Sequence, residues 1–235
     1  MESEDRVAFV SGANRGIGFG LTLEMVQHGC KVAAGYRDEA RSKKLLAEAE
    51  KHGNILPVKV DVTVEDDLQH LYQRINNRFG HLDILVNSAG VKINESAQFN
   101  ELDWQDVARS LKVNVGGPLM TSQALYPLLK KGREKKIINV SSRMGSIQLT
   151  DGGMTSYRVS KAALNMLTRN QAIEYKKDGI AVVIVHPGWV RTDMGGPAAP
   201  MTVAESAGKI FKIIEMISLS NTGEFISVTG DKIPY

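Results

Sequence analysis

Short apolar runs alternate with longer amphipathic stretches along the whole chain. The runs near residues 84–87 and 181–186 are continuously apolar, which is typical of parallel strands that helices cover on both faces. The runs predict seven strands: Val7–Val10, Lys31–Gly35, Ile55–Val60, Ile84–Asn87, Lys136–Val140, Ala181–His186 and Phe225–Val228. The amphipathic stretches predict six helices: Gly18–His28, Glu39–Lys51, Val64–Phe79, Leu102–Lys131, Ser156–Lys176 and Val203–Ile217.

This alternation predicts an α/β fold, a doubly wound parallel sheet of about seven strands with helices on both faces. No linker, repeat or low-complexity segment divides the 235 residues, so we expect residues 1–235 to form a single domain. Ligands of such folds bind at the carboxyl ends of the strands. The irregular stretch Pro187–Pro200, rich in Gly and Pro, follows one of these ends, where a lid over a site would lie.

A glycine-rich turn, Ser11-Gly12-Ala13-Asn14-Arg15-Gly16-Ile17-Gly18, joins the first strand to the first helix. Glycines let the backbone turn tightly and approach a pyrophosphate, which then sits at the helix N-terminus. The spacing is G-x-x-x-G-x-G and not the commoner G-x-G-x-x-G. Because the turn directly follows the first apolar strand, it predicts a Rossmann-type dinucleotide site that includes Gly12, Asn14, Arg15, Gly16, Ile17 and Gly18.

Tyr157 and Lys161 are four residues apart in a predicted helix, so their side chains leave the same face. A free phenol has a pKa near 10 and is a poor proton donor at neutral pH. A fixed ammonium beside it favours the phenolate and lowers that pKa toward the working range. The spacing therefore indicates an activated tyrosine, although a lone pair of this kind is also found on ordinary exposed helices.

The glycine spacing and the Tyr157–Lys161 pair together closely resemble the short-chain dehydrogenase/reductase family. Asn87-Ser88-Ala89-Gly90 resembles the family's N-N-A-G segment, with Ser in place of the second Asn. Residues 187–192, Pro-Gly-Trp-Val-Arg-Thr, resemble its P-G-x-x-x-T segment. The stretches around Ser142 and Tyr157, together with the tail 223–235, look most like the subgroup of C-factor and sniffer-type carbonyl reductases.

The resemblance implies a catalytic role for four residues. Tyr157 would be the general acid/base, and Lys161 would lower its pKa and hold the nicotinamide ribose. Ser142 would stabilise the oxyanion, and Asn114 would hold a water of the proton relay. Two more residues than usual separate Ser142 from Tyr157, which we interpret as an insertion near Gly152; Ser142 is thus preferred over the alternatives Ser141 and Ser146.

The resemblance also implies further contacts with a nicotinamide cofactor. Beyond the glycine turn, Tyr157 and Lys161, the matching positions are Asp61, Val62, Asn87, Ala89, Gly90, Pro187, Gly188, Val190 and Thr192. The choice of cofactor depends on the end of the second strand. Tyr36 falls where NAD users of the family have an acid, and Arg37 would meet a 2′-phosphate, flanked by Arg15. We therefore expect NADP(H); if the strand ends one or two residues later, Asp38 would instead bind a 2′-hydroxyl of NAD(H).

The expected function is NADP(H)-dependent reduction of a ketone or aldehyde to the alcohol. The alternatives are an NAD-dependent alcohol dehydrogenase and a dinucleotide-binding signalling protein similar to C-factor. The residues expected to line the substrate site are Ser142, Met144, Met154, Tyr157, Trp189 and Met194. Their character favours an apolar or aromatic carbonyl compound.

Composition limits the classes of binding partner and the cellular compartment that we expect. The net charge of +3 is too small to indicate nucleic acid, and the five scattered histidines do not indicate a metal site. The single cysteine, the lack of an N-terminal apolar segment and the lack of an 18-residue apolar run predict a cytoplasmic protein without a membrane partner. The helix Ser156–Lys176 is apolar on more than one side. With Leu102–Lys131, it is therefore expected to build a homodimer or homotetramer.

Overall fold

Seven parallel strands form one sheet in the order β3-β2-β1-β4-β5-β6-β7. The structure is a computed structural model and describes residues 6–94 and 97–235. The strands are β1 (Val7–Val10), β2 (Lys31–Tyr36), β3 (Ile55–Lys59), β4 (Ile84–Asn87), β5 (Lys136–Val140), β6 (Ala181–His186) and β7 (Phe225–Ser227). The helices are α1 (Gly16–Gln27), α2 (Lys43–Lys51), α3 (Glu65–Phe79), α4 (Trp104–Leu111), α5 (Gly117–Lys131), α6 (Thr155–Tyr175) and α7 (Val203–Met216).

Helices cover both faces of this sheet, as its continuously apolar strands predicted. Successive strand residues point to opposite faces, so β1 sends Ala8 and Val10 into one core and Val7 and Phe9 into the other. The first core lies under α1, α2 and α7, and the second lies under α3, α5 and α6. The predicted single-domain, doubly wound α/β fold is therefore confirmed.

The strand order places a crevice between the ends of β1 and β4. The chain runs from β1 outward to β3 and then returns to β4 on the other side of β1, so the connections diverge at that point. Ser11, the first residue after β1, ties the two ends together. Its hydroxyl accepts hydrogen bonds from the backbone N–H groups of Ser88 at 3.0 Å and Ala89 at 3.1 Å.

The predicted helix Leu102–Lys131 is wrong as a continuous element. The structure has α4, a π-helical turn at Lys112–Gly116, and then α5. Pro118 has no N–H to donate to the carbonyl of Asn114, four residues earlier, so regular helical bonding fails there. The Asn114 side chain is bonded outside the helix, to Val91 and Ser160, which fixes the distortion.

The predicted helix Glu39–Lys51 begins only at Lys43. Asp38 accepts a hydrogen bond from the N–H of Ala40 at 3.0 Å, and its carbonyl accepts one of 2.5 Å from the Ser42 hydroxyl. These bonds form a local turn in place of the first helical turn, so the helix begins four residues later than predicted. The bounds of the other helices differ from the predicted ones by two residues or fewer, and those of the strands by one or none.

Within residues 6–94 and 97–235, no helix is long and apolar enough to cross a bilayer. The acidic N-terminal segment on which the prediction of no signal peptide rests lies almost wholly outside the described residues.

Candidate active site

The glycine turn lies at the crevice between β1 and β4, where a dinucleotide site was predicted. Gly12 has a φ of +65°, and a Cβ there would lie 3.0 Å from the Cα of Ala89. A Cβ at Gly18 would lie 2.4 Å from the Gly12 carbonyl oxygen. Side chains at these two positions would therefore push the turn away from the Asn87–Gly90 segment and away from α1.

The start of α1 fits a negatively charged group. The helix begins at Gly16, within the glycine turn, and the side chain of the N-cap residue Arg15 does not cap its first N–H groups. Its first turn carries no acidic residue. Uncapped N–H groups and the positive end of the helix dipole together favour an anion, so the residues present fit a dinucleotide pyrophosphate.

Two arginines stand at the edge of the crevice near the end of β2. Arg37 directly follows the strand, and its guanidinium lies 3.7 Å from the Asp61 carboxylate. Burial opposes the charge on Asp61, but hydrogen bonds from the Thr63 N–H and hydroxyl, helped by Arg37, lower its pKa below the ordinary value. Arg15, in the glycine turn, forms an ion pair with Asp193. Arg15 and Arg37 therefore follow the carboxyl ends of β1 and β2, and their contact with a cofactor stays a prediction.

Asp38 is the alternative residue that could distinguish NAD(H) from NADP(H), and its carboxylate contacts neighbouring residues of the chain. The strand ends at Tyr36, one residue later than predicted. The Asp38 carboxylate nevertheless bonds the N–H of Ala40 and lies 3.9 Å from the Arg41 guanidinium. Its contacts therefore belong to the turn that leads into α2.

Ser142 follows β5 and begins a short 3₁₀ helix, Arg143–Gly145. Its side chain is nearly buried, and its hydroxyl oxygen accepts a 3.2 Å hydrogen bond from the N–H of Met144. The 3₁₀ helix packs directly on α6, since a Cβ at Gly145 would lie 2.8 Å from the backbone of Lys161. Ser142 is thereby held at a fixed position relative to the helix that carries Tyr157.

Tyr157 and Lys161 lie on one face of α6, one helical turn apart and both buried. The Lys161 Nζ lies 5.6 Å from the centre of the Tyr157 ring and donates a 2.9 Å hydrogen bond to the carbonyl of Val140, just before Ser141 and Ser142. Burial lowers the pKa of Lys161 to about 8. The pKa of this lysine thus lies close to neutral pH, which suits a group that takes up and releases protons during a reaction.

Asn114 lies within the π-helical turn and is buried against the same group of residues. Its amide nitrogen donates 2.9 Å hydrogen bonds to the Val91 carbonyl and the Ser160 hydroxyl, and its oxygen accepts one of 2.8 Å from the Val91 N–H. A Cβ at Gly90 would lie 3.2 Å from the Asn114 oxygen and 3.8 Å from the Lys161 Nζ. The structure therefore brings the side chains of Asn114 and Lys161 close to each other.

The segment Pro187–Pro200 forms a loop beside this crevice. Its two ends are joined, because Arg191 donates a 2.8 Å backbone bond to Met201 and Met201 donates one of 3.3 Å to Trp189. The Thr192 methyl lies 3.3 Å from the place of a Cβ on Gly16, so the loop touches the glycine turn. Trp189 and Met194 are partly exposed, and the Trp189 indole N–H bonds the Gly195 carbonyl at 2.8 Å.

Comparison with known proteins agrees with this geometry. Residues 6–202 match the family model described as short chain dehydrogenase. The chain belongs to this family. The carbonyl reductase Sniffer of D. melanogaster has a solved structure that superposes with a TM-score of 0.93, at 32% identity over 99% of this chain and 100% of that one.

Two more relatives of this short-chain dehydrogenase are informative. The NADPH-bound carbonyl reductase from chicken fatty liver superposes with a TM-score of 0.92, at 35% identity over 99% of this chain and 100% of that one. The C-signal of Myxococcus xanthus is 38% identical over 157 residues, which are 66% of this chain and 94% of that protein. The predicted resemblance to the family, and to its C-factor and sniffer-type members, is confirmed.

Sequence reasoning did not single out three polar residues that position the site. Ser11 joins the ends of β1 and β4, and Ser160 links Asn114 to the Tyr157 carbonyl, to which its hydroxyl donates at 2.8 Å. Asn165 lies on α6 one turn beyond Lys161 and bonds Ser141 and Gly145. The four-residue spacing Tyr157, Lys161, Asn165 is the one signal that was present in the sequence.

The Asn87 side chain has a structural role. It is buried, and its amide nitrogen donates a 2.8 Å hydrogen bond to the Asn139 oxygen on the neighbouring strand. The amide nitrogen therefore fixes the end of β4 against β5, while the buried side-chain oxygen accepts no hydrogen bond from the residues that the structure describes.

Among the residues that the structure describes, no group of three or more His, Cys, Asp and Glu side chains is placed to hold a metal ion.

Proposed function

We propose that this chain is an NADP(H)-dependent oxidoreductase that reduces a ketone or aldehyde to the alcohol. The observation that carries the proposal is the buried Lys161, one helical turn from Tyr157 and bonded to the strand end that leads into Ser142. A buried ammonium beside a phenol stabilises the phenolate, which is what a proton-donating tyrosine needs. An inert structural pair would not require the desolvation of the lysine.

The chain's own residues supply the proton and stabilise the charge. When bound, the nicotinamide coenzyme supplies the hydride that reaches the carbonyl carbon. Tyr157 gives its hydroxyl proton to the carbonyl oxygen, and the Ser142 hydroxyl donates a hydrogen bond to that oxygen while negative charge develops on it. The Lys161 ammonium compensates the charge left on the Tyr157 oxygen. The reaction is balanced once Tyr157 regains a proton from solvent.

Asn114 supports that return of the proton. The π-helical turn, together with Pro118, keeps the Asn114 carbonyl out of regular helical bonding, so the carbonyl is suited to accept from a water. Gly90 keeps the space beside the Asn114 side chain and the Lys161 Nζ open. A water there would link Lys161 to solvent, and the lowered pKa of Lys161, about 8, makes proton exchange with it easy near neutral pH.

Arg37 and Arg15 are proposed to select NADP(H) by binding its 2′-phosphate. Both guanidiniums are exposed, and the carboxylates that they pair with, Asp193 for Arg15 and Asp61 for Arg37, are exposed or partly exposed. Asp38 is turned toward Ala40 and Arg41. The relative from chicken fatty liver, described as an NADPH-bound carbonyl reductase, supports the same choice.

The substrate is proposed to be an apolar or aromatic carbonyl compound. Met144 lies in the 3₁₀ helix after Ser142, Met154 directly precedes α6, and Trp189 and Met194 belong to the loop 187–200. These three segments adjoin Ser142, Tyr157 and the glycine turn. Their apolar and adaptable side chains suit a hydrophobic carbonyl compound.

We also propose that the protein binds a second copy of itself through α4, α5 and α6. Along α6, Val159, Met166 and Ile173 recur every seven residues, which places them on one face, and they are 43%, 63% and 66% exposed. Trp104 on α4 and Leu119 on α5 are also exposed. A two-fold interface would remove these apolar side chains from water.

The test is oxidation of NADPH, followed by its absorbance, with a panel of quinones, diketones and cyclic ketones. We expect turnover with at least one class and a loss of about 10²–10⁴ in rate for Tyr157→Phe, with NADPH binding within a few fold. Tyr175→Phe, which removes a hydroxyl from the same helix away from the site, is the matched control and should keep its rate. NADPH binding without turnover of any compound would favour a dinucleotide-binding signalling protein, and more than about a tenth of the rate in Tyr157→Phe would exclude that tyrosine as the acid.

A further inference from the structure

The loop 187–200 is attached to both walls of the cofactor crevice. On one wall, the Asp193 carboxylate forms an ion pair with Arg15 of the glycine turn, 178 residues earlier in the chain. On the other wall, the Lys92 Nζ donates a 2.9 Å hydrogen bond to the Met194 carbonyl. The two contacts come from consecutive residues of the loop, so the loop crosses the crevice at this point.

The Arg15 contact conflicts with the role that the proposed function gives to this arginine. A guanidinium has a fixed set of N–H donors and binds one carboxylate or one phosphate best through a shared plane. A 2′-phosphate beside Asp193 would also bring two anions together, which is unfavourable. Arg15 can therefore satisfy one of the two anions well, but not both at once.

We propose that Asp193 is an internal competitor of the coenzyme's 2′-phosphate for Arg15. The inference rests on the proposed NADP(H) function. Binding of NADP(H) exchanges the Arg15–Asp193 ion pair for an Arg15–phosphate pair and releases the attachment of the loop at Asp193. NAD(H) has no 2′-phosphate and leaves the ion pair in place. Asp193 thus lowers the discrimination between the two coenzymes and makes the loop respond to the phosphate.

The expected change in NADPH affinity is small, because both side chains of the ion pair are exposed to solvent. The Arg15 and Asp193 side chains are 57% and 77% exposed, and exposed ion pairs contribute about 0.2–1 kcal/mol. That range corresponds to a change in affinity of up to about fivefold. We therefore expect Asp193→Asn to tighten NADPH binding by about 1.4- to fivefold and to leave NADH binding unchanged.

The experiment is a double-mutant cycle on coenzyme dissociation constants, measured by calorimetry on the full chain without substrate. The variants are Asp193→Asn, Arg15→Met and the double variant. In the Arg15→Met background, Asp193→Asn should improve NADPH binding less than it does in the wild-type background, because the contested guanidinium is gone and only the repulsion between Asp193 and the phosphate remains. A gain of the same size in that background, or an equal gain for NADPH and NADH, would overturn the proposal.

Lys92→Met is the matched control for a loosened loop. It removes the bond from Lys92 to the Met194 carbonyl and leaves Arg15 and Asp193 in place, so any change should be the same for NADPH and NADH. If Lys92→Met raises the NADPH preference as much as Asp193→Asn does, mobility of the loop explains the effect and competition does not.

Failure of the proposed function gives a different result. A wild-type protein that binds NADH as tightly as NADPH, with both affinities unchanged in Arg15→Met, would reject Arg15 as a phosphate ligand and with it this inference. A wild-type preference for NADPH that Arg15→Met reduces, without any effect of Asp193→Asn, would reject the competition by Asp193 alone.

Discussion

The Ser141 hydroxyl donates a 2.7 Å hydrogen bond to the side-chain oxygen of Asn165, two helical turns beyond Tyr157. The Asn165 amide nitrogen donates in turn to the Gly145 carbonyl at 3.1 Å. Ser141 and Gly145 lie on either side of Ser142, so one buried amide fixes both flanks of the segment that carries the proposed oxyanion donor. The positions of Ser142 and of α6 are therefore coupled.

We expect Asn165→Leu to lower kcat by about tenfold or more while NADPH affinity stays within a few fold. The substitution leaves the buried Ser141 hydroxyl and Gly145 carbonyl without partners, and the Ser142 segment is then free to shift relative to Tyr157. Steady-state kinetics combined with direct NADPH titration separates these quantities.

Asn170→Leu, an exposed asparagine on the same helix, is the control for this change and should keep the wild-type kcat. A parallel loss of kcat and of the NADPH-binding fraction in Asn165→Leu would point to general unfolding and contradict a positioning role.

The free energy of unfolding should increase as the pH rises from about 8 to about 10.5, because the buried Lys161 has already lost its proton in this range. Burial lowers its pKa in the folded protein from 10.5 to about 8. Between these values the unfolded chain binds a proton that the folded chain does not, so the free energy of unfolding increases with pH, by roughly 3 kcal/mol in total for this group. The measurement is urea unfolding at a series of pH values.

The comparison for that measurement is Lys161→Met, which has no proton to lose there. Its free energy of unfolding should lack this rise, so the difference between the two proteins should change between about pH 8 and pH 10.5 and stay constant below pH 8. Parallel curves for the two proteins across pH 8–10.5 would show that Lys161 has an ordinary pKa.

The sequence predicts the sheet well because its signals are local. Strands such as Ile84–Asn87 are short apolar runs bounded by polar or turn residues, and their observed bounds agree within one residue. The Tyr157–Lys161 pair is likewise contained in one helical turn.

What the sequence does not predict depends on partners far away in the chain. The π-helical turn is fixed by bonds from Asn114 to Val91 and Ser160, 23 and 46 residues away, and no local pattern reports them. The Arg15–Asp193 pair joins residues 178 apart. The late start of α2 is different, because the competing Asp38 turn is local and its Asp and Ser were visible as turn-forming residues.

Arg37→Asp should invert the coenzyme preference. The change removes a charge-assisted bond to the 2′-phosphate and adds a like charge beside it, and bonds of this kind contribute roughly 1.5–3 kcal/mol. We therefore expect the ratio of kcat/KM for NADPH over NADH to fall by about tenfold to more than a hundredfold.

Arg41→Asp makes the same charge change four residues away, where the arginine lies beside Asp38, and should alter the ratio far less. An unchanged ratio in Arg37→Asp would mean that the 2′-phosphate is bound elsewhere, and Asp38 would then become the residue to test for NAD(H).

The proposed second copy on α6 is tested by the mass of the particle in solution. We expect light scattering coupled to gel filtration to give two or four times the 25.7 kDa of one chain. Met166→Lys combined with Ile173→Lys should reduce that mass. The two lysines of each protomer would be buried in the interface, close to the same positive charges of the other protomer. Met216→Lys changes an equally exposed methionine on α7 and is the control. A mass near one chain for the wild type would rule out the oligomer, and a loss of mass in Met216→Lys alone would move the interface from α6 to α7.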